Sequence, residues 1–408
     1  MLTQTESHIT LLPNEILQLI LGLLDGASLA RCSRISQRFN ALVKSDGLWA
    51  QTVSSLRLSS PAPYKSFKEL YTALHRHLWL HGQVWYGDRR FTGYFVIARY
   101  SAISGAIEIY NLLVNHNNPE IAGKPWSRDS TVLVVDFDPH IRFWRDPVLV
   151  LTKDTPYNES QEMQPPPRRG RELIYCSLSR TTVIPPKQDR FMPVWPPTII
   201  PSGERTRSIS AQGFRVDGHQ PQTTNEAAES LFRLRTWMIF GTNSNHLTRV
   251  QPPAMGNGVE TFSALDKSLY TPDEEHPFRG LWVGDYTENG CEIALFHQPT
   301  PERLEGIKIT GDINVPRGEY TFIIENLKEP IRIANEVEWP GATVVGGKTQ
   351  TAFIQFTNAA FIPSEMIIIS PDEVAFYLPP TNLGDITRFK RLNIDEFIYG
   401  SDAIIFDE

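Results

Sequence analysis

The chain has 408 residues, 41% of them hydrophobic and 43 of them aromatic (9 Trp, 13 Tyr, 21 Phe), enough for two or three domains with substantial cores and too apolar for a broadly disordered chain. A formal charge of −7, from 39 Lys and Arg against 46 Asp and Glu, argues against a general phosphate-backbone binder, so no nucleic acid is expected as a partner. Three widely separated cysteines, Cys32, Cys176 and Cys291, fit a reducing compartment. Without a basic, apolar leader or an apolar run of about 18 residues, the expectation is no membrane and a cytoplasmic or nuclear location.

Proline is in excess, 31 of 408, and its distribution divides the chain. None occurs between Pro13 and Pro61, and that window carries helical spacing. Pro13 belongs in a first turn ahead of Ile16, Leu17 and Ile20, and Asp25-Gly26 ends the helix. Ser28 caps a second helix bearing Leu29, Cys32 and Ile35, the spacing continues through Phe39, Leu42 and Val43, and Leu48-Trp49 opens another. Residues 8–56 therefore read as a compact helical unit. A linker at 57–63 leads to one further helix over Tyr64–His81, completing a connecting segment at 57–82.

From residue 83 to about 400 the texture is β-rich, with short runs such as Phe91–Ala98, Ala106–Val114, Leu281–Tyr286, Cys291–Phe296, Gly306–Thr310, Tyr320–Glu325 and Val374–Leu378. Ten prolines between Pro156 and Pro201 mark a loop-rich insertion at about 152–225, and Glu226–Ile239 has helical spacing. Some thirteen short strands without alternating helices predict an antiparallel barrel or sandwich. The fold class is thus α+β and multidomain: a small helical unit, then a mostly antiparallel β domain with long Pro-rich loops.

Local motifs for catalysis are few. Ala342–Thr349 (ATVVGGKT) satisfies a permissive phosphate-loop pattern, but Gln350–Phe356 alternates like a strand where a helix is needed, which favours a Gly-Gly hairpin turn. His75, His77 and His81 cluster without a Cys or acidic partner at ligand spacing, so neither metal nor cofactor is expected. Arg168-Arg169-Gly170-Arg171 reads as a solvated loop charge run.

One stretch is recognisable. Leu12-Pro13-Asn14-Glu15-Ile16-Leu17, then Leu24, then Ile35-Ser36-Gln37-Arg38-Phe39, then Leu48-Trp49, resembles the F-box. The resemblance implies a non-catalytic subunit that docks the adaptor Skp1, and through it a cullin and RING ligase core of SCF type, for proteasomal degradation of a target. Leu12, Pro13, Ile16, Leu17, Ile20 and Leu24 are assigned to the adaptor face, with Phe39 and Trp49 shared between packing and contact. Fifty residues carrying this much apolar surface exceed what so small a unit can bury, which is the physical signature of an interface. The plainer alternative is a helical cap packed on the β domain.

A second, narrower resemblance covers Gly280–Tyr286, Gly290–Ile293 and Ile307–Gly318 (IKITGDINVPRG), which look like the substrate domain of the F-box-only protein thirty-one family and of fungal F-box proteins of that kind, also similar around Trp85–Asp88 and Arg90–Gly93. It implies a β-barrel that holds a protein substrate, typically near its C-terminal end. Alternation places Lys308, Thr310 and Asp312 on one side, where donors and an acid suit a peptide terminus, with Asn314 beside them. Two readings of Asp312 remain open, a substrate clasp and the cap of a type I turn. Trp282 and Tyr286 are likewise either pocket walls or core. The alternatives to a ligase subunit are an F-box protein acting outside ubiquitination and a barrel that binds a small molecule.

Overall fold

The computed structural model describes residues 8–54, 56–58, 60–87, 91–116, 123–144, 147–154, 174–180, 231–238, 259–286, 290–378 and 386–400, with backbone alone at 8, 10, 116, 174–180, 231–238 and 259–261. Contacts divide the chain into two units. One holds residues 1–82 with 98–109 and 147–156; the other holds the remainder.

In the helical part, α1 (Asn14–Gly22) follows Pro13, α2 (Gly26–Cys32) is capped by Asp25, α3 (Gln37–Val43) by Ser36, and α4 (Asp46–Ser54) precedes α5 (Phe67–Leu74), capped by Ser66. Asp25 accepts from the Ser28 amide, so the cap of α2 lies three residues before the expected one, and Asp25 both closes the first helix and opens the second. The helix expected over Tyr64–His81 is shorter, ending in a 3-10 turn at Leu78–Leu80. Leu17, Leu21, Leu29, Phe39, Leu42, Val43, Leu48 and Trp49 form its core.

Among the described residues the β strands form two large sheets and one two-stranded ladder. The first contains β1 (Val84–Gly87), β2 (Phe95–Ser101), β3 (Ala106–His116), β6 (Pro139–Phe143), β7 (Leu149–Leu151), β8 (Ile174–Arg180), β9 (Leu231–Met238) and β10 (Val259–Ala264), ordered β6-β3-β2-β1-β10-β9-β8 with β7 on β3. A two-residue ladder joins β4 (Lys124–Pro125) to β5 (Leu133–Val134). Two expectations are corrected here. Residues 231–238 form a strand where a helix was expected, because pairing with β8 and β10 outweighs a weak helical period, and the insertion at 152–225 is not all loop, since β8 lies within it.

After α6 (Lys267–Tyr270) come β11 (Gly280–Asp285), β12 (Cys291–His297), β13 (Leu304–Lys308), β14 (Tyr320–Ile324), β15 (Pro330–Ile333), β16 (Thr343–Phe353), β17 (Thr357–Ser370), β18 (Glu373–Tyr377), β19 (Ile386–Arg391) and α7 (Ile394–Tyr399). The order β14-β13-β12-β11-β19-β18-β17-β16 closes through β14–β16, an eight-stranded antiparallel barrel with β15 appended to β16. The barrel alternative expected from the sequence is therefore the one adopted.

Alternation sorts the barrel residues. Trp282, Ala294, Phe296, Phe322, Met366, Phe376 and Phe389 point inward and fill the interior, with Trp282 stacked on Phe296 at 4.4 Å and 14°. Their neighbours Leu281, Val283, Ile293, Leu295 and Ile307 point outward and pack with Val84, Tyr86, Phe95 and Ile97 of the first sheet and with α6 and α7. On another side Trp126 lies on Tyr377. Gly346-Gly347-Lys348 runs through the middle of β16, correcting the hairpin turn expected there: a Cβ at Gly347 would meet Ile324 Cδ1 at 2.3 Å, so the glycine serves close packing inside a strand.

Candidate functional site

The helical part carries the first candidate. On α1 and at its C-cap, Ile16, Leu19, Ile20 and Leu23 recur at i, i+3, i+4 and i+7 and lie exposed, Leu19 at 69% and Leu23 at 83%. Leu11 and Ile35 add to this exposed apolar surface, Pro13 is exposed, and Leu12 and Leu24 are half-buried. Leu17, expected on the same face, is turned inward at 1% exposure: with Leu21 it falls on the side of the helix away from Leu19 and Leu23, and that side packs into the core. Phe39 and Trp49 are both buried; Trp49 Nε1 donates to the Val43 carbonyl at 2.8 Å. Leu19 and Leu23 escaped the sequence reading although the spacing from Ile16 marks them.

Arg38 fixes the start of this face. Its guanidinium donates to Asn14 Oδ1 at 2.9 Å and to the Leu12 carbonyl at 2.5 Å, tying α3 to the Leu-Pro segment. This is a structural reason for an arginine beside Phe39 in the motif.

The second candidate closes one end of the barrel. Tyr286 follows directly on β11, the start of β12 delivers Glu292, and the end of β13 delivers Lys308, on the side of the sheet that carries the barrel interior. Lys308 is 2% exposed; its ammonium lies 2.6 Å from Asp312 Oδ2, 3.0 Å from Glu292 Oε2 and 4.1 Å from the centre of the Tyr286 ring. Tyr286 Oη meets Thr321 Oγ1 at 2.7 Å.

Two carboxyls around one ammonium share the site unequally. Burial first pushes Glu292 up, the Lys308 charge opposes this, and the Asp312 charge adds to it, leaving Glu292 at about 8. Burial also pushes Asp312 up, but the Lys308 charge and its hydrogen bonds hold it below the usual carboxylate range. At neutral pH the proton therefore sits on Glu292, and one ammonium faces one carboxylate, a neutral arrangement suited to burial. Burial drives the Tyr286 phenol upward, so it stays neutral.

The loop after β13 is built on this cluster. Asp312 Oδ1 accepts from the amides of Asn314 (2.5 Å) and Val315 (2.7 Å), and the Asp312 amide donates to the Val315 carbonyl, so Asp312 does cap a turn. Thr310 Oγ1 accepts from the Ile293 amide, and Asn314 Nδ2 donates to the Ala352 carbonyl. The structure thus brings Tyr286, Lys308 and Asp312 together, sets Thr310 and Asn314 on backbone partners beside them, and places Trp282 apart in the aromatic interior. Glu292 was missed; a charge in step with Ala294 and Phe296 on an inward face was the available signal. What the loop offers to solvent is Ile313, exposed, and Asn314, half-buried.

Among the described residues no group of three or more His, Cys, Asp or Glu is arranged to hold a metal, and no helix is long and apolar enough to cross a membrane. His77 and His81 are buried instead, His81 Nε2 lying 3.0 Å from the Leu56 carbonyl. The arginine-rich run at 168–171 lies outside the described residues.

Comparison with known proteins gives two family matches. Residues 9–54 match the F-box-like family, so the chain carries an F-box-like domain over α1 to α4. Residues 262–396 match the family described as Cyclin D1 binding domain, a span that takes in the whole barrel with α6 and the first half of α7. A curated relative, Protein EXECUTER 2, chloroplastic, from Arabidopsis thaliana, is 24% identical over 139 residues, covering 30% of this chain. The chain spans about a fifth of that relative's length, 21%.

Proposed function

We propose that this chain is a substrate-receptor subunit of an SCF-type ubiquitin ligase, in which the F-box-like domain docks Skp1 and the barrel holds a protein target. The observation that carries the reading is the exposed apolar stripe of Ile16, Leu19, Ile20 and Leu23 on a domain of F-box type, an arrangement that costs a lone protein solubility and serves a partner helix or sheet. The match of residues 262–396 to a cyclin D1 binding domain supports assigning target capture to the barrel and makes a D-type cyclin the first target to assay. The filled barrel interior favours a protein target over an enclosed small molecule.

On this reading the catalytic chemistry belongs to the partners, and the chain contributes proximity by holding a target lysine near the ubiquitin-loaded enzyme. At the barrel end, Lys308, Asp312, Glu292 and Tyr286 act as the base that fixes the 309–319 loop, while Ile313 and Asn314 face the target. Trp282 supports from within.

The test is reconstitution with Skp1, a cullin and a RING subunit. Skp1 should co-purify with the chain and be lost on Leu12→Ala with Pro13→Ala, and cyclin D1 should gain ubiquitin only when the chain is present. A folded double mutant that still holds Skp1 refutes the docking half. Skp1 binding with no target modified, by cyclin or by proteins accumulating under proteasome block, favours a role outside ubiquitination.

A further inference from the structure

Between residues 262 and 396 the chain contains three Ser/Thr-Pro steps, Thr271-Pro272, Thr300-Pro301 and Ser370-Pro371, each followed by acid: Asp273-Glu274-Glu275, Glu302 and Asp372-Glu373. In sequence the first and third are near copies, TPDE and SPDE. The fold separates them.

Ser370 lies at the tight turn between β17 and β18, where it pairs with Glu373, and its hydroxyl oxygen accepts from the Asp372 amide at 3.2 Å. Arg391 engages the residues that follow: its guanidinium donates to the Pro371 carbonyl at 2.9 Å and to Asp372 Oδ1 at 2.7 Å, and its amide donates to the Asp372 carbonyl. Thr300 holds a turn of its own, its hydroxyl oxygen accepting from the Arg303 amide at 3.2 Å, and Glu302 is paired with Lys328 at 2.5 Å. Thr271 is placed differently. It follows α6 in extended backbone, with φ −92° and ψ 117°, and the five consecutive residues 271–275 are exposed. Asp273 turns the chain by accepting from the Glu275 and His276 amides, while the carboxylates of Glu274 and Glu275 have no hydrogen bond or ion pair among the described residues.

We propose that Thr271 is a phosphorylation site for a proline-directed protein kinase, and that the phosphate loosens α6. The kinase transfers the γ-phosphoryl group of ATP to Thr271 Oγ1; the bond to the ADP oxygen breaks as the new P–O bond forms, and the hydroxyl proton passes to the kinase's base. In-line attack needs a hydroxyl on an exposed, extended chain, which Thr271 supplies and the turn-bound Ser370 and Thr300 do not. Proline at the next position has no N–H to leave unpaired, and the open carboxylates of Glu274 and Glu275 disfavour a kinase that seeks basic residues.

The product loses a fastening. In the unmodified chain Thr271 Oγ1 donates to the Lys267 carbonyl at 2.7 Å, a bond for which the oxygen of a phosphate ester has no proton. A dianion at the C-terminal end of α6, close to Asp273, opposes the helix further. α6 carries Leu269 and Tyr270 into the core on the outside of the barrel, so the modification acts on a packed element. This goes beyond the receptor reading and does not depend on it.

The experiment treats the folded full chain with a mitogen-activated protein kinase and magnesium ATP and maps the phosphate by mass spectrometry. Thr271 should be modified at least tenfold faster than Ser370 or Thr300, and Pro272→Ala, with an unchanged melting temperature, should slow Thr271 at least tenfold. The chain phosphorylated on Thr271 should exchange its amides faster over 268–271. No phosphate on Thr271, equal rates at Thr271 and Ser370, or a rate indifferent to Pro272→Ala overturns the assignment of the site. Unchanged exchange at 268–271 in the phosphorylated chain overturns the loosening of α6.

Discussion

Lys308 Nζ and Asp312 Oδ2 are 2.6 Å apart inside the barrel end, in a pair whose lysine is almost completely buried. The pair couples the end of β13 to a turn that Asp312 itself caps. Removing the cation leaves two carboxyls in a low-dielectric site. Lys308→Met should destabilise the barrel by ~3–5 kcal/mol, measured by urea denaturation, and speed amide exchange in 309–319. Adding Glu292→Gln should recover part of the loss; a near-neutral Lys308→Met would show that the cluster contributes little.

Glu292 gives the same cluster a pH dependence. Its carboxyl holds a proton up to about 8 when folded, against an ordinary value of 4.5. The folded state thus binds more protons between those values, so the stability this group contributes is full below 4.5 and is lost as pH rises to about 8. Asp312 works in the opposite sense: its contribution is present above 3.8 and is lost as pH falls through its lowered value. Glu292→Gln should flatten the slope between pH 4.5 and 8, a difference of at most about 1.4 kcal/mol per pH unit, and gain stability on the parent at pH 8. Thermal melts at half-unit pH steps decide it, and parallel curves for the two proteins would count against the proton assignment.

On α1, neighbouring residues should behave oppositely. Leu19→Asp or Leu23→Asp should leave the melting temperature within a degree or two and weaken Skp1 binding, with single truncations such as Ile16→Ala costing ~1–3 kcal/mol of affinity by calorimetry. Leu17→Ala should instead cost ~2–4 kcal/mol of domain stability, because it opens a cavity against Phe39 and Trp49. A Leu17→Ala variant that loses affinity but no stability would reverse the inward and outward assignment.

Gly306 tests how tightly the barrel interior is filled. A Cβ there would lie 2.2 Å from the Phe322 ring, so Gly306→Ala must displace an aromatic that also packs against Phe296, Phe376 and Phe389. The expected loss is ~1–3 kcal/mol by chemical denaturation, and Phe322→Leu in the same chain should offset part of it.

The order of elements was legible in the residues because it depends on local physics. Helical spacing between Pro13 and Pro61 and strand alternation from 281 to 378 are periodicities of the chain, and the motif around Leu12-Pro13 and Arg38-Phe39 is carried by contiguous residues. Where the period was weak it misled: 231–238 looked helical and became a strand through partners almost sixty residues upstream and some twenty-five downstream.

The candidate site divides along the same line. Sequence alone determined that Lys308, Thr310 and Asp312 alternate to one side ahead of a turn, and that a leucine-rich first helix carries excess apolar surface. Only the closed barrel decided that Lys308 spends its charge inward on Asp312 and on Glu292, sixteen residues away, because cross-strand register, not sequence distance, sets which side chains meet. Tertiary packing likewise chose which of the leucines on α1 face water, because the helix buries the side that meets Phe39 and Trp49 and leaves the other to solvent.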